Sequence, residues 1–318
     1  MSSRTCTFRY PSPLDAVPLV DFASRCFVAT YDHQNTPDNI ATYLAEHFQP
    51  SVFERLLRSR SHLVMTMWLD EALAGYAVAQ RSVDDDGTYI LDIERFYVAS
   101  DYHGGGYAGP FMEALDRSAA ALDVERLRLG VYTENPRAIA FYRKQGFEII
   151  GEQTFTFGSE AQRDWVMARS RRSPAFTDTD FIAAFLDGAW PAAAWTHAAH
   201  VRLAWTLLAA HSFEETLKTV KAAIARYNRV VLASDAYHET LTQAFVTLVA
   251  SEFRADEAFT AFCQRASALL SRSPFVVEHY YSPELLASDE AKRRFVEPDR
   301  ATLPPPVVGD NRSRLVHS

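Results

Sequence analysis

The chain has 318 residues, 48% of them apolar and 23% charged, an ordinary soluble globular composition with length enough for two cores. Its formal net charge of −8 resides almost wholly in the first half, where residues 1–170 carry 16 Lys and Arg against 23 Asp and Glu, while residues 171–318 carry 16 against 17. That balance disfavours a nucleic-acid partner, no apolar run is long enough to span a membrane, and three scattered cysteines, Cys6, Cys26 and Cys263, argue against a disulfide framework.

The opening stretch MSSRTCTFRY lacks the apolar core of a secretory signal, so the expected location is cytoplasmic. Thr5 to Arg9 reads as a first strand. Pro13 to Tyr31 follows as an amphipathic helix with Leu14, Val17, Val20, Phe22, Phe27 and Val28 as its apolar surface. Thr36-Pro37-Asp38-Asn39 opens a second helix through Tyr43, Leu44 and Phe48, and a further turn or helix carries Val52, Phe53, Leu56 and Leu57. His62 to Trp68 and Ala72 to Ser82 form a hairpin across Leu69-Asp70-Glu71, and Asp84-Asp85-Asp86-Gly87 turns into the next strand. Three aspartates in a turn could receive a polycation; a solvated turn accounts for them more simply.

From Leu91 to Leu115 the chain reads LDIERFYVASDYHGGGYAGPFMEAL, a strand, a short loop and a helix. Apolar residues on both faces of Leu91 to Val98 suit a central strand. His103, Gly104, Gly105, Gly106, Tyr107 and Ala108 can present successive backbone N–H groups to an anion, and the helix that follows adds its positive end. Phosphate is the natural guest, although a glycine run also serves a structural turn. Pro110 suits the first turn of the helix, and Phe111, Met112 and Leu115 recur at helical spacing. Leu127 to Val131 is a short strand, after which Asn135 and Pro136 begin a helix that stops at Gly146. Strands near Phe147 to Phe157 and Arg163 to Ala168 complete a mixed sheet of about six or seven strands.

Two of these stretches resemble the Gcn5-related N-acetyltransferase superfamily. The glycine loop is similar to its acetyl-CoA loop, Gln/Arg-x-x-Gly-x-Gly/Ala. Asn135, Ala138, Phe141, Tyr142, Gly146 and Phe147 match, position by position, the Asn-x-x-Ala-x-x-Phe-Tyr-x-x-x-Gly-Phe of its later helix. The resemblance covers roughly residues 5 to 169. His103 stands where the family usually has Gln or Arg, and Gly105 where a basic residue is common, so the pyrophosphate contact would rest on backbone N–H groups. The segment Gly151 to Asp164, with Glu94 to Val98 and Leu129 to Val131, looks more loosely like the bacterial spermidine and spermine acetyltransferases.

The resemblance implies an α/β acetyltransferase-like mixed sheet flanked by helices, and acetyl-CoA-dependent transfer to a small primary amine, polyamine-like as a first guess. It implies that a splayed strand offers backbone groups of Phe96, Tyr97 and Val98 to pantetheine. His103, Gly104, Gly105, Gly106, Tyr107, Ala108 and Asn135 would complete the cofactor site. Tyr142 is the candidate general acid, because a phenol with a pKa of about 10 is protonated at neutral pH and can donate to a departing thiolate; the alternative is packing against the cofactor. Glu94, on the strand leading into the site, is the candidate base or a binder of a cationic amine, although many enzymes of the superfamily manage with water alone. Tyr31, His33 and Tyr43 lie where the superfamily walls its acceptor site, as acceptor contacts or ordinary packing residues.

Arg169-Ser-Arg-Arg-Ser-Pro174 is a charged connector, and from Thr177 onward the pattern is helical. The expected division is an acetyltransferase-like domain at 1–170, a separate all-α domain at 175–303 and a flexible or extended tail at 304–318. Helices are expected over Asp180 to Leu186, Ala192 to Ala210, Phe213 to Asn228 with Ser212 and Glu215 as a capping box, Thr240 to Phe253, Asp256 to Ser271, and Pro283 to Ala287. His197 and His200 share a helical face. With His238 and Glu239 they form a conceivable zinc or iron site if the two helices meet, while hydrogen-bonded histidines in a polar core are the simpler reading. The helical half is thus open to a separate metal-dependent activity or to an interaction module, including a homodimer.

Overall fold

A computed structural model describes residues 4–32, 35–84, 86–157, 160–271 and 275–307. His33, Asp85 and the tail from 308 onward lie outside the described residues. The chain divides into two compact units, Met1–Phe176 with Ala189–Ala194, and Thr177–Gly188 with Trp195–Ser318.

The first unit is built on a seven-stranded sheet: β1 (Cys6–Arg9), β2 (His62–Leu69), β3 (Ala72–Val83), β4 (Tyr89–Val98), β5 (Arg126–Tyr132), β6 (Glu148–Phe157) and β7 (Glu160–Ser170). Its order is β1-β2-β3-β4-β5-β7-β6. Among the described residues the only parallel neighbours are β4 and β5, joined by a crossover through a helix. The β2–β3 hairpin turns tightly at Asp70, whose φ of 55° is a left-handed conformation that aspartate tolerates and whose carboxylate accepts the Thr5 N–H at 3.0 Å.

Three helices, α1 (Ala16–Tyr31), α2 (Pro37–His47) and α3 (Pro50–Arg58), supply the core on one face. There Leu19, Phe22 and Phe27 of α1, Ile40 of α2, and Phe53 of α3 pack with Val64, Tyr76 and Val78 of the sheet. Leu14 and Val17 do not join them, being 81% and 55% exposed. Leu14 falls in a 3-10 turn before α1, and Val17 shares an outward stripe with Asp21 and Arg25. The helices α4 (Ala108–Ala121) and α5 (Pro136–Lys144) serve the other face, where Phe111, Met112 and Leu115 of α4 have no exposed surface.

In the second unit the regular elements are helices: α6 (Asp178–Leu186), α7 (His197–Leu208), α8 (Phe213–Val230), α9 (Glu239–Glu252), α10 (Phe259–Arg265), α11 (Pro283–Ala287) and α12 (Asp289–Arg293). The helix expected from Ala192 is interrupted. A 3-10 turn at Ala192–Ala194 ends, and Thr196, whose hydroxyl accepts the Ala199 N–H, caps a new start at His197. The helix expected over Asp256 to Ser271 is α10 followed by a 3-10 turn at Ser267–Leu270. The Ser212 and Glu215 capping box stands at the head of α8 as read from the sequence.

Candidate active site

The site begins where β4 and β5 part company. Their parallel register runs only from Ile90↔Arg126 to Ile93↔Leu129, whereas β4 stays bonded to β3 as far as Gly75↔Val98 and β5 stays bonded to β7 as far as Tyr132↔Asp164. Residues Glu94 to Val98 therefore face a gap with the backbone groups that β3 does not use. A β-bulge marks the point of departure: Val78 pairs with Arg95 and Ala79 with Ile93, leaving Glu94 as the extra residue that turns the strand. At the closed end, Arg126 reaches Asp84 at 2.7 Å and Asp86 at 3.2 Å, and Arg128 reaches Asp92 at 2.5 Å and Asp84 at 3.2 Å. Asp84 and Asp86 of the turn thus meet guanidinium groups of their own sheet.

Beyond Val98 the chain enters the glycine loop. Gly104 and Gly106 have φ values of 78° and 81°, which glycine adopts without the cost other residues incur. A Cβ at Gly105 would lie 2.5 Å from the Tyr107 ring. The His103 imidazole donates from Nε2 to the Val98 carbonyl at 2.8 Å, so this side chain braces the loop against the end of β4. The N–H groups of the first turn of α4 have no acceptor within their helix. Exposed glycine amides leading into a helix N-terminus suit a pyrophosphate, which needs donors at close range and no intervening side chain.

Tyr142 is set by both ends of α5. Asn135 Oδ1 accepts the Ala138 N–H at 3.0 Å to cap the start; at the other end Gly146, with φ of 79°, lets the Phe147 N–H return to the Tyr142 carbonyl at 3.0 Å. Phe141, the preceding residue, stacks on Phe96 with centroids 5.8 Å apart, and Phe96 stacks on Phe111 at 5.0 Å. Burial, helped by Tyr31, pushes the Tyr142 phenol above the ordinary tyrosine range, so it is a protonated donor at neutral pH. Tyr31 of α1, on the opposite face, hydrogen-bonds Tyr97 and stands within electrostatic reach of Tyr142.

Other candidates separate by depth. Glu94 is at the rim, with Oε1 3.9 Å from His62 Nε2 and a side chain 40% exposed. Tyr43 stacks on Phe27 with centroids 4.8 Å apart and lies 6.2 Å from Phe155, a packing role. Sequence reasoning passed over Asp164 of β7, which is only 7% exposed, and named Tyr31 and Tyr97 separately without foreseeing the hydrogen bond between them. The available signal was that Asp164 alternates with Val166 and Ala168 along its strand, placing a lone carboxylate on a covered face.

The model of the acetyltransferase (GNAT) family matches residues 19–147. Over 155 residues the chain is 32% identical to an uncharacterized N-acetyltransferase of Mycobacterium tuberculosis, a match covering 49% of this chain and 97% of that one. This chain belongs to the GNAT acetyltransferase family. It is a GNAT enzyme, an N-acetyltransferase, and acetyl-CoA is the family's cofactor. An uncharacterized N-acetyltransferase of Lactobacillus delbrueckii subsp. lactis is 22% identical over 165 residues, covering 50% of this chain and 94% of that one. Among solved structures, the PaiA N-acetyltransferase of Thermoplasma acidophilum in complex with coenzyme A is 17% identical, covering 52% of this chain and 99% of that one, with a TM-score of 0.44.

The GNAT match lies in the first unit. In the second, the metal site expected from His197, His200, His238 and Glu239 is not formed: among the described residues no group of three or more His, Cys, Asp or Glu side chains could hold a metal ion. Each of the four side chains is held by other partners. His197 Nε2 donates to the Leu269 carbonyl at 2.7 Å, and His200 Nδ1 to the Thr196 carbonyl at 2.7 Å. His238 uses both nitrogens, donating from Nε2 to Leu286 at 2.8 Å and accepting the Leu241 N–H at Nδ1. Glu239 is paired with Lys221 and accepts from the Tyr237 hydroxyl at 2.8 Å. The three histidines line a half-open, mainly apolar cavity of about 450 Å³ with Val220, Ile224 and Phe245. No helix among the described residues is long and apolar enough to cross a membrane.

Proposed function

We propose that acetyl-CoA lies in the gap between β4 and β5 and that the chain acetylates a small primary amine, with polyamines the first class to test. The observation that carries this reading is the short β4–β5 register, which leaves the backbone edge of Phe96, Tyr97 and Val98 facing the gap directly ahead of the glycine loop. Backbone N–H groups of Gly104, Gly106, Tyr107 and Ala108 would hold the pyrophosphate, with Gly105, whose own N–H donates to the Tyr102 carbonyl at 3.3 Å, keeping side chains out of the way and His103 bracing the loop, and the β4 edge would hold the pantetheine arm. Asn135 contributes by capping α5 and so fixing Tyr142.

When bound, acetyl-CoA supplies an activated thioester, whose C–S bond breaks as the amine forms the C–N bond. Tyr142 acts as general acid, giving its phenolic proton to the departing sulfur. Glu94, solvated at the rim, draws in a cationic amine. The acidic balance of residues 1–170 favours such an acceptor, and three free thiols suit a reducing cytoplasm. The test is a thiol-release assay with acetyl-CoA over a panel of polyamines, aminoglycosides, amino acids and peptides. Saturable release with polyamines supports the reading; binding of coenzyme A with no release on any amine refutes it.

A further inference from the structure

A buried carboxylate is costly unless something in the fold holds it, and one with an oxygen left without a hydrogen-bond partner beside a reaction cleft calls for a chemical reason. Asp164 is such a group. It stands on β7 opposite Tyr132 of β5 and Gln153 of β6, on the sheet face where Phe155 packs against the α1–α3 core. Its Oδ1 is buried with no hydrogen-bond partner. Room is left for it by Gly130, the β5 residue beside the gap: a Cβ there would sit 3.4 Å from Asp164 Oδ2 and 2.5 Å from Gln153 Nε2.

The groups facing Asp164 are neutral at pH 7. Tyr31 comes from α1, Tyr132 and Gln153 from the flanking strands, and Tyr97 of β4 stands behind Tyr31 as its hydrogen-bond partner. Arg163, its chain neighbour, pairs with Glu152 at 3.7 Å, and Arg95 of β4 lies over the Phe48 and Phe53 rings beside Tyr43 and Tyr76. Glu94 is farther out, in water.

Building on the transfer reading above, we propose that Asp164, not Glu94, is the general base that takes the proton from the attacking amine. The amine binds neutral, having left its extra proton to solvent. Its nitrogen lone pair forms the C–N bond, one N–H proton passes to the Asp164 carboxylate, and the C–S electron pair leaves on sulfur, which takes the Tyr142 proton. Solvent then carries the proton from Asp164 to the Tyr142 phenolate, so both groups return to their starting states. The placement fits the division of labour: Tyr142 belongs to α5, and Asp164 lies on the α1 face of the sheet within electrostatic reach of Tyr31. Burial pushes the Asp164 carboxyl up to about 6, which keeps it ionised at neutral pH and makes it a stronger base than a solvated aspartate.

The experiment is steady-state kinetics of the full chain from pH 5 to 9 with acetyl-CoA and the best amine of the panel, beside calorimetric titration with coenzyme A. In the parent, kcat/KM calculated on the neutral fraction of the amine should fall on the acid side with an apparent pKa near 6. Asp164→Asn should lower kcat by about 100-fold and remove that acid limb, while its coenzyme A affinity stays within about twofold. Asp164→Ala should regain part of the lost turnover when formate is added, a response that a structural role does not give. Asp164→Asn keeping the parent's turnover and acid limb, or Asp164→Ala deaf to formate, overturns the assignment alone. A parent that releases no thiol with any amine overturns the transfer reading, and this assignment with it.

Discussion

Two buried carboxylates, Asp164 on β7 and Asp116 against it, are treated by the fold in opposite ways. Near the Ser170 end of β7, Asp116 of α4 accepts from Arg169 Nη1 at 2.5 Å, the Ser173 N–H at 2.6 Å and the Arg172 N–H at 3.2 Å. Burial alone would raise the Asp116 carboxyl, yet the hydrogen bonds from Ser173 and the Arg169 charge hold it below the ordinary carboxylate range. Asp164, toward the other end, is about as inaccessible, but one oxygen has no partner and burial wins, pushing it up to about 6. Depth is the same in both places; the company differs. One group is part of the frame, and the other is held ready to accept a proton.

The largest expected effect comes from making the first site resemble the second. Arg169→Ala leaves Asp116 buried without its cation and should cost about 3–5 kcal/mol in urea unfolding at pH 7, with the deficit shrinking in acid as Asp116 protonates. An unchanged midpoint would mean that the backbone donors alone suffice. Next, Tyr142→Phe removes the proposed acid while leaving Asp164 in place. It should lower kcat by about 100-fold with coenzyme A affinity retained, and equal losses in both would recast Tyr142 as a packing residue.

Asp164→Asn is the mirror of the Arg169 change. The folded pKa of Asp164 lies above its unfolded value, so its ionisation opposes folding as pH climbs from about 4 through 6. The amide variant should therefore be more stable than the parent by about 1–3 kcal/mol at pH 8, with the gain vanishing below about pH 4. A variant that melts earlier at pH 8 would show that the carboxylate has a partner after all. Smallest is Gly106→Ala, which strains a residue with φ of 81° in open space and should weaken coenzyme A binding about tenfold by titration, leaving the acid limb of the pH profile untouched.

What could be read beforehand was local. Asn135, Pro136 and Gly146 delimit α5 by capping chemistry contained in a dozen residues, and the glycines of the loop announce their left-handed angles. What escaped depends on residues far apart in the chain. Asp164 alternates correctly on its strand, yet no pattern of spacing says whether a partner will reach it. His197 and His238 look like ligands until the carbonyls of Leu269 and Leu286, 72 and 48 positions away, claim their protons. Helix α7 shows the same limit on a small scale, since Thr196 could equally continue a helix from Ala192 or begin a new one.

The cluster of Arg126 and Arg128 on Asp84, Asp86 and Asp92 acts as the rivet of a pair of tongs, fixing one end of two strands whose other ends are prised apart by a bulge. Jaws set by construction need no prior opening step. Capture of the nucleotide should then follow a single exponential in stopped flow, with a rate that rises linearly with its concentration and no slow phase behind it.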